Sequence, residues 1–176
     1  MRPLSAQSTR VPRPVAAAEP GPGRGWIFVP AAAAAAALVA HLACGDRYGV
    51  FRDEMYFLAC GRRLAWGYVD QPPVIAVLAR LAAGLAGTTV MGLRWPAYLA
   101  HAATIVLTAR LAARMGGGRV AQALAAVMAL ASPALLGATH LLTMNAFEPL
   151  LWTSTALSVN RAVDGDRRGG WLLAGA

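Results

Sequence analysis

Lysine is absent: all sixteen basic residues of the 176-residue chain are arginine. Charge is scarce, at 14% of residues with only eight acids, against 57% hydrophobic residues and a mean hydropathy of +0.50. That balance fits a membrane protein better than a water-soluble domain. Two cysteines cannot build a disulfide framework, and Cys and His lack metal-ligand spacing, which excludes a stapled secreted fold and a zinc module. The net charge of +8 and the pI near 11.0 do not make a nucleic-acid surface. The arginines are spread between long uncharged runs, with no stacking aromatics interleaved, whereas such a surface concentrates both on one exposed face. Membrane topology accounts for them better.

What the sequence does contain is a series of apolar runs. Residues 1–25, rich in Pro, Ala and Gly with four arginines and one acid, read as a disordered cytoplasmic tail. Residues 26–44 carry no formal charge, and at 1.5 Å per residue a helix of nineteen residues nearly covers a hydrocarbon core. A cleaved signal is the rival reading, since Leu42-Ala43-Cys44-Gly45 resembles a lipoprotein site, but His41 stands where such a site wants an aliphatic residue. Further uncharged runs cover 95–109, 120–139 and, more weakly, 149–159. Another apolar stretch opens at Trp171 and stops at Ala176, too short to span, so the expectation is either a fragment of a longer protein or an unusual end.

The stretch 74–93 is apolar but carries Arg80, and topology has to place it. Arg110, Arg114 and Arg119 surround a loop without acids, which the positive-inside rule puts in the cytoplasm beside the tail. Two crossings, at 26–44 and 95–113, satisfy that requirement. Residues 74–93 are then expected to lie in the outer interface or to re-enter rather than span, within an external segment 45–94, with a second external connection around 143–148 and an internal loop at 164–168. The expected fold is an all-α polytopic membrane protein with about four complete crossings plus two external juxtamembrane helices, and a domain covering 26–176.

The external segment concentrates charge and aromatic rings. Asp46, Arg47, Tyr48, Arg52, Asp53, Glu54, Tyr56, Arg62, Arg63, Trp66, Tyr68 and Asp70 fall within twenty-five residues, and their four arginines balance four carboxylates. Interface anchoring explains such a composition in bland terms. A site that holds an anion and supplies a base explains it as well. Asp53 and Glu54 precede a helix-permissive run from Met55 to Trp66, so Asp53 is expected to cap that helix, with Glu54 in its first turn. Neighbours on a helix diverge by about 100°, so only one faces a given substrate atom, and Asp53 is the choice. Asp70-Gln71-Pro72-Pro73 reads as a turn with a carboxylate at its mouth, its prolines opening the next helix. A third polar block runs from His140 to Pro149, where Glu148 opens a helix, and Asn145 and Glu148 lie on the same expected side as Asp53 and Asp70. His101, inside an expected span, is left without a role.

Three ordered blocks then carry a resemblance. Phe51-Arg52-Asp53-Glu54-Met55-Tyr56-Phe57-Leu58-Ala59-Cys60-Gly61, Leu64-Ala65-Trp66-Gly67-Tyr68-Val69-Asp70-Gln71-Pro72-Pro73 and Met144-Asn145-Ala146-Phe147-Glu148-Pro149-Leu150 resemble the amino-terminal portion of glycosyltransferase family 39 type membrane enzymes, the bacterial relatives of protein O-mannosyltransferases and lipid A aminoarabinose transferases. The resemblance implies a GT-C-like fold, cut short, in the cell's inner membrane with a cytoplasmic N-terminus. It implies transfer of a sugar from a polyprenyl-phosphate-linked donor to a protein, lipid or glycan acceptor at the outer face, with inversion. The family's acidic pair maps onto Asp53 and Glu54 as catalytic residues. Arg52, Arg62, Arg63, Asp70, Gln71, Asn145 and Glu148 are the expected donor-phosphate or substrate contacts, and a divalent metal ion is a possible cofactor. No nucleic-acid partner is expected. Two other classes stay open: a transporter fragment, whose acids would relay ions, and an inert membrane scaffold that folds beside a partner.

Overall fold

The computed structural model describes residues 27–163, so the expected tail at 1–25 and the loop at 164–168 lie outside the described residues. Seven α-helices follow in order: α1 Phe28–Cys44, α2 Arg52–Arg62, α3 Pro73–Ala86, α4 Val90–Arg114, α5 Arg119–Ala131, α6 Pro133–Thr139 and α7 Glu148–Val163, with a 3-10 turn at Met144–Ala146 before α7. Among the described residues there is no strand, as an all-α fold requires.

The body is built around α4, against which α1, α3, α5 and α7 all pack. Where α1, α4 and α5 meet, the interface is almost wholly alanine: Ala33, Ala34 and Ala37 face Ala102, Ile105, Ala109, Ala126 and Ala129. Small side chains let helix backbones approach closely, so the contact is gained through backbone proximity and dispersion instead of bulk. The outward faces carry the large apolar residues, among them Val39, Leu42, Leu99, Leu124, Met128 and Leu151, all exposed. A second, smaller core of Phe57, Ile75, Ala79 and Leu142, with Phe147 against it, joins α2, α3 and the connection before α7. The approach of α2 to α3 depends on Gly61, where a Cβ would come within 2.9 Å of the Ala76 carbonyl oxygen.

The helices follow the expected order of crossings, α1, α4, α5–α6 and α7, but several boundaries differ. Among the described residues no single helix is both long and apolar enough to cross a membrane. α1 has 17 residues, and α4 has 25 but contains Arg94, Arg110 and Arg114. The expected crossing at 120–139 is broken between α5 and α6, which meet at 55°. Pro133 supplies no N–H to continue the ladder, and Ser132 restarts it by accepting from the Leu135 N–H at 3.4 Å.

The stretch 74–93, expected as one interfacial element, is divided. α3 stops at Gly87, whose φ of +80° lies in the left-handed region, and Thr89 caps α4 by accepting from the Gly92 N–H at 3.0 Å. Leu93 and Arg94 therefore belong to the first turns of α4. α2 ends at Arg62, short of Trp66, because Tyr68 folds back on it: the phenol oxygen lies 2.9 Å from the Cys60 carbonyl and 3.0 Å from that of Arg63. Asp53 is not the cap either. Phe51 occupies that position, and Glu54, three residues on, accepts from the Phe51 N–H at 2.8 Å, leaving Asp53 inside the first turn.

Candidate functional site

The polar end of the bundle is organised by Arg94. Its side chain is fully buried, and its five N–H donors have five acceptors. Nε donates to Glu54 Oε1 at 2.7 Å, and Nη2 to Glu54 Oε2 at 2.7 Å and the Gly49 carbonyl at 2.9 Å. Nη1 donates to the carbonyls of Gly45 at 2.7 Å and Tyr48 at 3.4 Å. A buried guanidinium needs this much compensation, since an unpaired charge there is costly. Close packing enforces the arrangement at Gly45, where a Cβ would collide with Tyr98 Oη and lie 2.7 Å from the His41 carbonyl oxygen.

Glu54 is as fully engaged as its partner. Besides the bidentate pair and the Phe51 N–H, it accepts from the Leu142 N–H at 3.0 Å, so all four lone-pair directions are used. Burial by itself pushes its carboxyl up, but the Arg94 guanidinium and the N–H groups of Leu142 and Phe51 outweigh that and hold it below the usual carboxylate range. This one side chain ties α2 to α4 and to the connection preceding α7. It thereby brings the first and third polar blocks to the same end of the molecule.

Asp53 differs from its neighbour in every respect. It is part exposed, and its contact among the described residues is the Arg52 guanidinium at 3.3 Å, itself at the surface. Its carboxylate keeps lone pairs that Glu54 does not have. Asp70 joins through Tyr56, whose hydroxyl donates to Asp70 Oδ1 at 2.7 Å; that bond, and burial after it, raises the phenol above its ordinary range. Gln71 is buried, and neither its side-chain Oε1 nor its Nε2 has a hydrogen-bond partner among the described residues. Arg62 and Arg63 are exposed at the end of α2. Asn145 and Glu148 line a different recess, of about 630 Å³, with Met144, Leu151, Trp152 and Thr155. An apolar cleft of about 500 Å³ lies between the end of α2 and α3, lined by Leu64, Trp66, Pro73, Val74, Val77 and Leu78. Among the described residues no three His, Cys, Asp or Glu side chains come together as a group able to hold a metal ion.

Residues 70–176, more than half of the chain, match the family described as dolichyl-phosphate-mannose-protein mannosyltransferase. The chain belongs to that family. No curated protein and no solved structure matches it. The matched region of the mannosyltransferase family takes in Asp70, Gln71, Arg94, Asn145 and Glu148, while Arg52, Asp53, Glu54, Arg62 and Arg63 precede it. Membership makes this a mannosyltransferase-like glycosyltransferase type; the family is membrane-bound and implies, in general terms, a polyprenyl-phosphate-sugar donor and an acceptor.

Reading the sequence missed Arg94 as an organising residue. The available signal was an arginine at the edge of an apolar run, opposite a carboxylate forty positions earlier, and a charge in such a place needs a partner.

Proposed function

We propose that this chain carries the acceptor-activating end of an inverting membrane glycosyltransferase that uses a polyprenyl-phosphate-linked sugar, with Asp53 as general base. The observation that carries this reading is the division of labour within the acidic pair. Glu54 has no lone pair left to take a proton, while Asp53, fixed beside it on the first turn of α2, does.

In the proposed step the acceptor hydroxyl gives its proton to Asp53 as its oxygen attacks the anomeric carbon. The bond from that carbon to the carrier phosphate breaks, and the phosphate oxygen keeps the electron pair. Attack opposite the departing phosphate inverts the centre. Arg52, Arg62 and Arg63, exposed along α2, are the guanidiniums available to the leaving phosphate. Among the described residues no three carboxylate, His or Cys side chains gather to hold the expected divalent ion, and no step is derived through it.

The lipid carrier asks for an apolar run beside a polar headgroup site. The cleft between α2 and α3, with exposed Trp66 at its edge, supplies the former, and α2 supplies the latter. Exposed aliphatic faces around an interior that holds the buried charges support a bilayer surround, with the 45–54 end at the outer interface. Asn145 and Glu148, in their own recess, are assigned to the acceptor.

Membranes containing the protein, supplied with a polyprenyl-phosphate sugar and acceptor, test the proposal directly. Asp53→Asn is expected to lower transfer by about 10²–10⁴-fold, the range of general base catalysis, with protein level and melting midpoint unchanged. Transfer within twofold of the parent would remove Asp53 from the role.

A further inference from the structure

The three histidines of this chain, far apart in sequence, meet in one buried cluster that the proposed transfer does not use. His41 on α1 and His101 on α4 are 3% and 0% exposed, with His41 Nε2 2.9 Å from His101 Nδ1. Thr139, the last residue of α6, places Oγ1 3.3 Å from the same His41 nitrogen. Tyr98 stacks on the His41 ring at 4.6 Å, and His140 is 6.2 Å from it, edge-on to Tyr48 at 5.8 Å.

The protons of the central chain follow from its ends. Ala129, four residues before Pro133, has a carbonyl that the proline cannot serve, because it lacks an N–H. His101 Nε2 lies 3.3 Å from that oxygen and must carry hydrogen to donate to it. Neutral His101 then offers a bare Nδ1, so His41 Nε2 carries the hydrogen between the rings. Thr139 gives its own hydrogen to the Leu135 carbonyl at 2.6 Å, which leaves a lone pair toward His41. With both rings neutral, the single His41 Nε2 hydrogen serves His101 Nδ1 at 2.9 Å and is shared with Thr139 Oγ1 at 3.3 Å. A proton added to His101 forces His41 to carry its hydrogen on Nδ1, so that its bare Nε2 faces the Thr139 lone pair, and one added to His41 puts a cation where no carboxylate touches either ring.

The chain of contacts reaches the candidate site. Arg94, Tyr98 and His101 stand at i, i+4 and i+7 on one face of α4. His140 is two residues before Leu142, whose N–H binds Glu54. We propose that His41, His101 and Thr139 form a proton-operated latch: neutral, it seats the broken helix α5–α6 on α1 and α4; protonated, it releases the end of α6 and draws Leu142 away from Glu54. The charged and titratable groups facing the cluster are Tyr98 and Arg94 from α4, Glu54 from α2, Tyr48 and Asp46 from the segment after α1, and His140 after α6, while α5 supplies only the Ala129 carbonyl.

The test uses the full chain in detergent micelles, with spin labels on cysteines introduced at exposed Met55 on α2 and Met144 in the 3-10 turn, and exposed Cys44 replaced by serine. Between pH 7.5 and 4.5 the melting midpoint is expected to fall by about 5 °C or more, and the label distance to lengthen. In His41→Gln, whose amide turns to donate or accept as His101 requires, both changes shrink to less than half; in His140→Gln most of each remains. A parent label distance that does not change with pH overturns the latch, whether or not His41→Gln folds. An undiminished pH response in a folded His41→Gln overturns it too.

Discussion

The two regions of this molecule are held together by opposite means. The body, where α1, α4 and α5 meet, is packed mainly through alanines around Ile105, flanked by Leu38, Val106, Leu130 and Leu135, with the paired His41 and His101 as its buried polar contact. The end that carries the candidate site is held by one buried ion pair whose two side chains make seven hydrogen bonds, two of them to each other. Dispersion between small side chains is undirected and spread over many atoms, so losing one contact changes little. A buried charge pair is directional and indivisible, because removing one partner strands the other. Geometry near the candidate base is therefore set by a few decisive contacts, and the body by many interchangeable ones.

The sharpest way to break this comparison is at Arg94. Arg94→Met strands the Glu54 carboxylate and three backbone carbonyls, and is expected to cost about 3–5 kcal/mol in denaturant unfolding, while Arg94→Met with Glu54→Met recovers most of it. A loss below 1 kcal/mol for the single change would mean that the pair does not organise its region. The acid limb reads the same pair. Glu54 titrates lower folded than unfolded, so its contribution is fully present above the unfolded carboxylate range and is lost as pH falls through the lower, folded value. That loss should vanish in Glu54→Gln, measured as the melting midpoint against pH below 4.5.

The body is tested by overfilling. Ala37, with no exposed surface, meets α4 and α5 through a methyl group, and Ala37→Leu is expected to cost about 1–3 kcal/mol by forcing helices apart. The site geometry should survive it, so label distances at the polar end stay unchanged. The smallest effect is expected at Arg52, whose ion pair with Asp53 is exposed: Arg52→Ala should change stability by less than about 1 kcal/mol. A drop in transfer from that variant without a change in stability would mark a contact to the donor phosphate.

Much of this arrangement was legible before any coordinates. Long uncharged runs announced α1, α4, α5–α6 and α7, and the DE pair and the QPP turn located α2 and α3. What escaped had one cause. Tyr68 curling back on α2, Pro133 freeing the Ala129 carbonyl to His101, and Glu54 being spent on Arg94 all depend on partners many positions away, which periodicity does not report. The Asp53 assignment shows the difference well. Cap statistics pointed to Asp53 at the helix start, whereas Glu54 makes the capping contact because Arg94 and Leu142 hold it in place.

Composition and hydropathy alone determined the all-helical architecture, the order of its helices and the blocks in which polar chemistry gathers, because burial of apolar surface and helix-breaking residues act locally. Which carboxylate of the acidic pair is free to take a proton was decided only by tertiary structure. Lone pairs are consumed by donors that the folded chain brings from residues 51, 94 and 142, and no spacing along the sequence encodes that meeting.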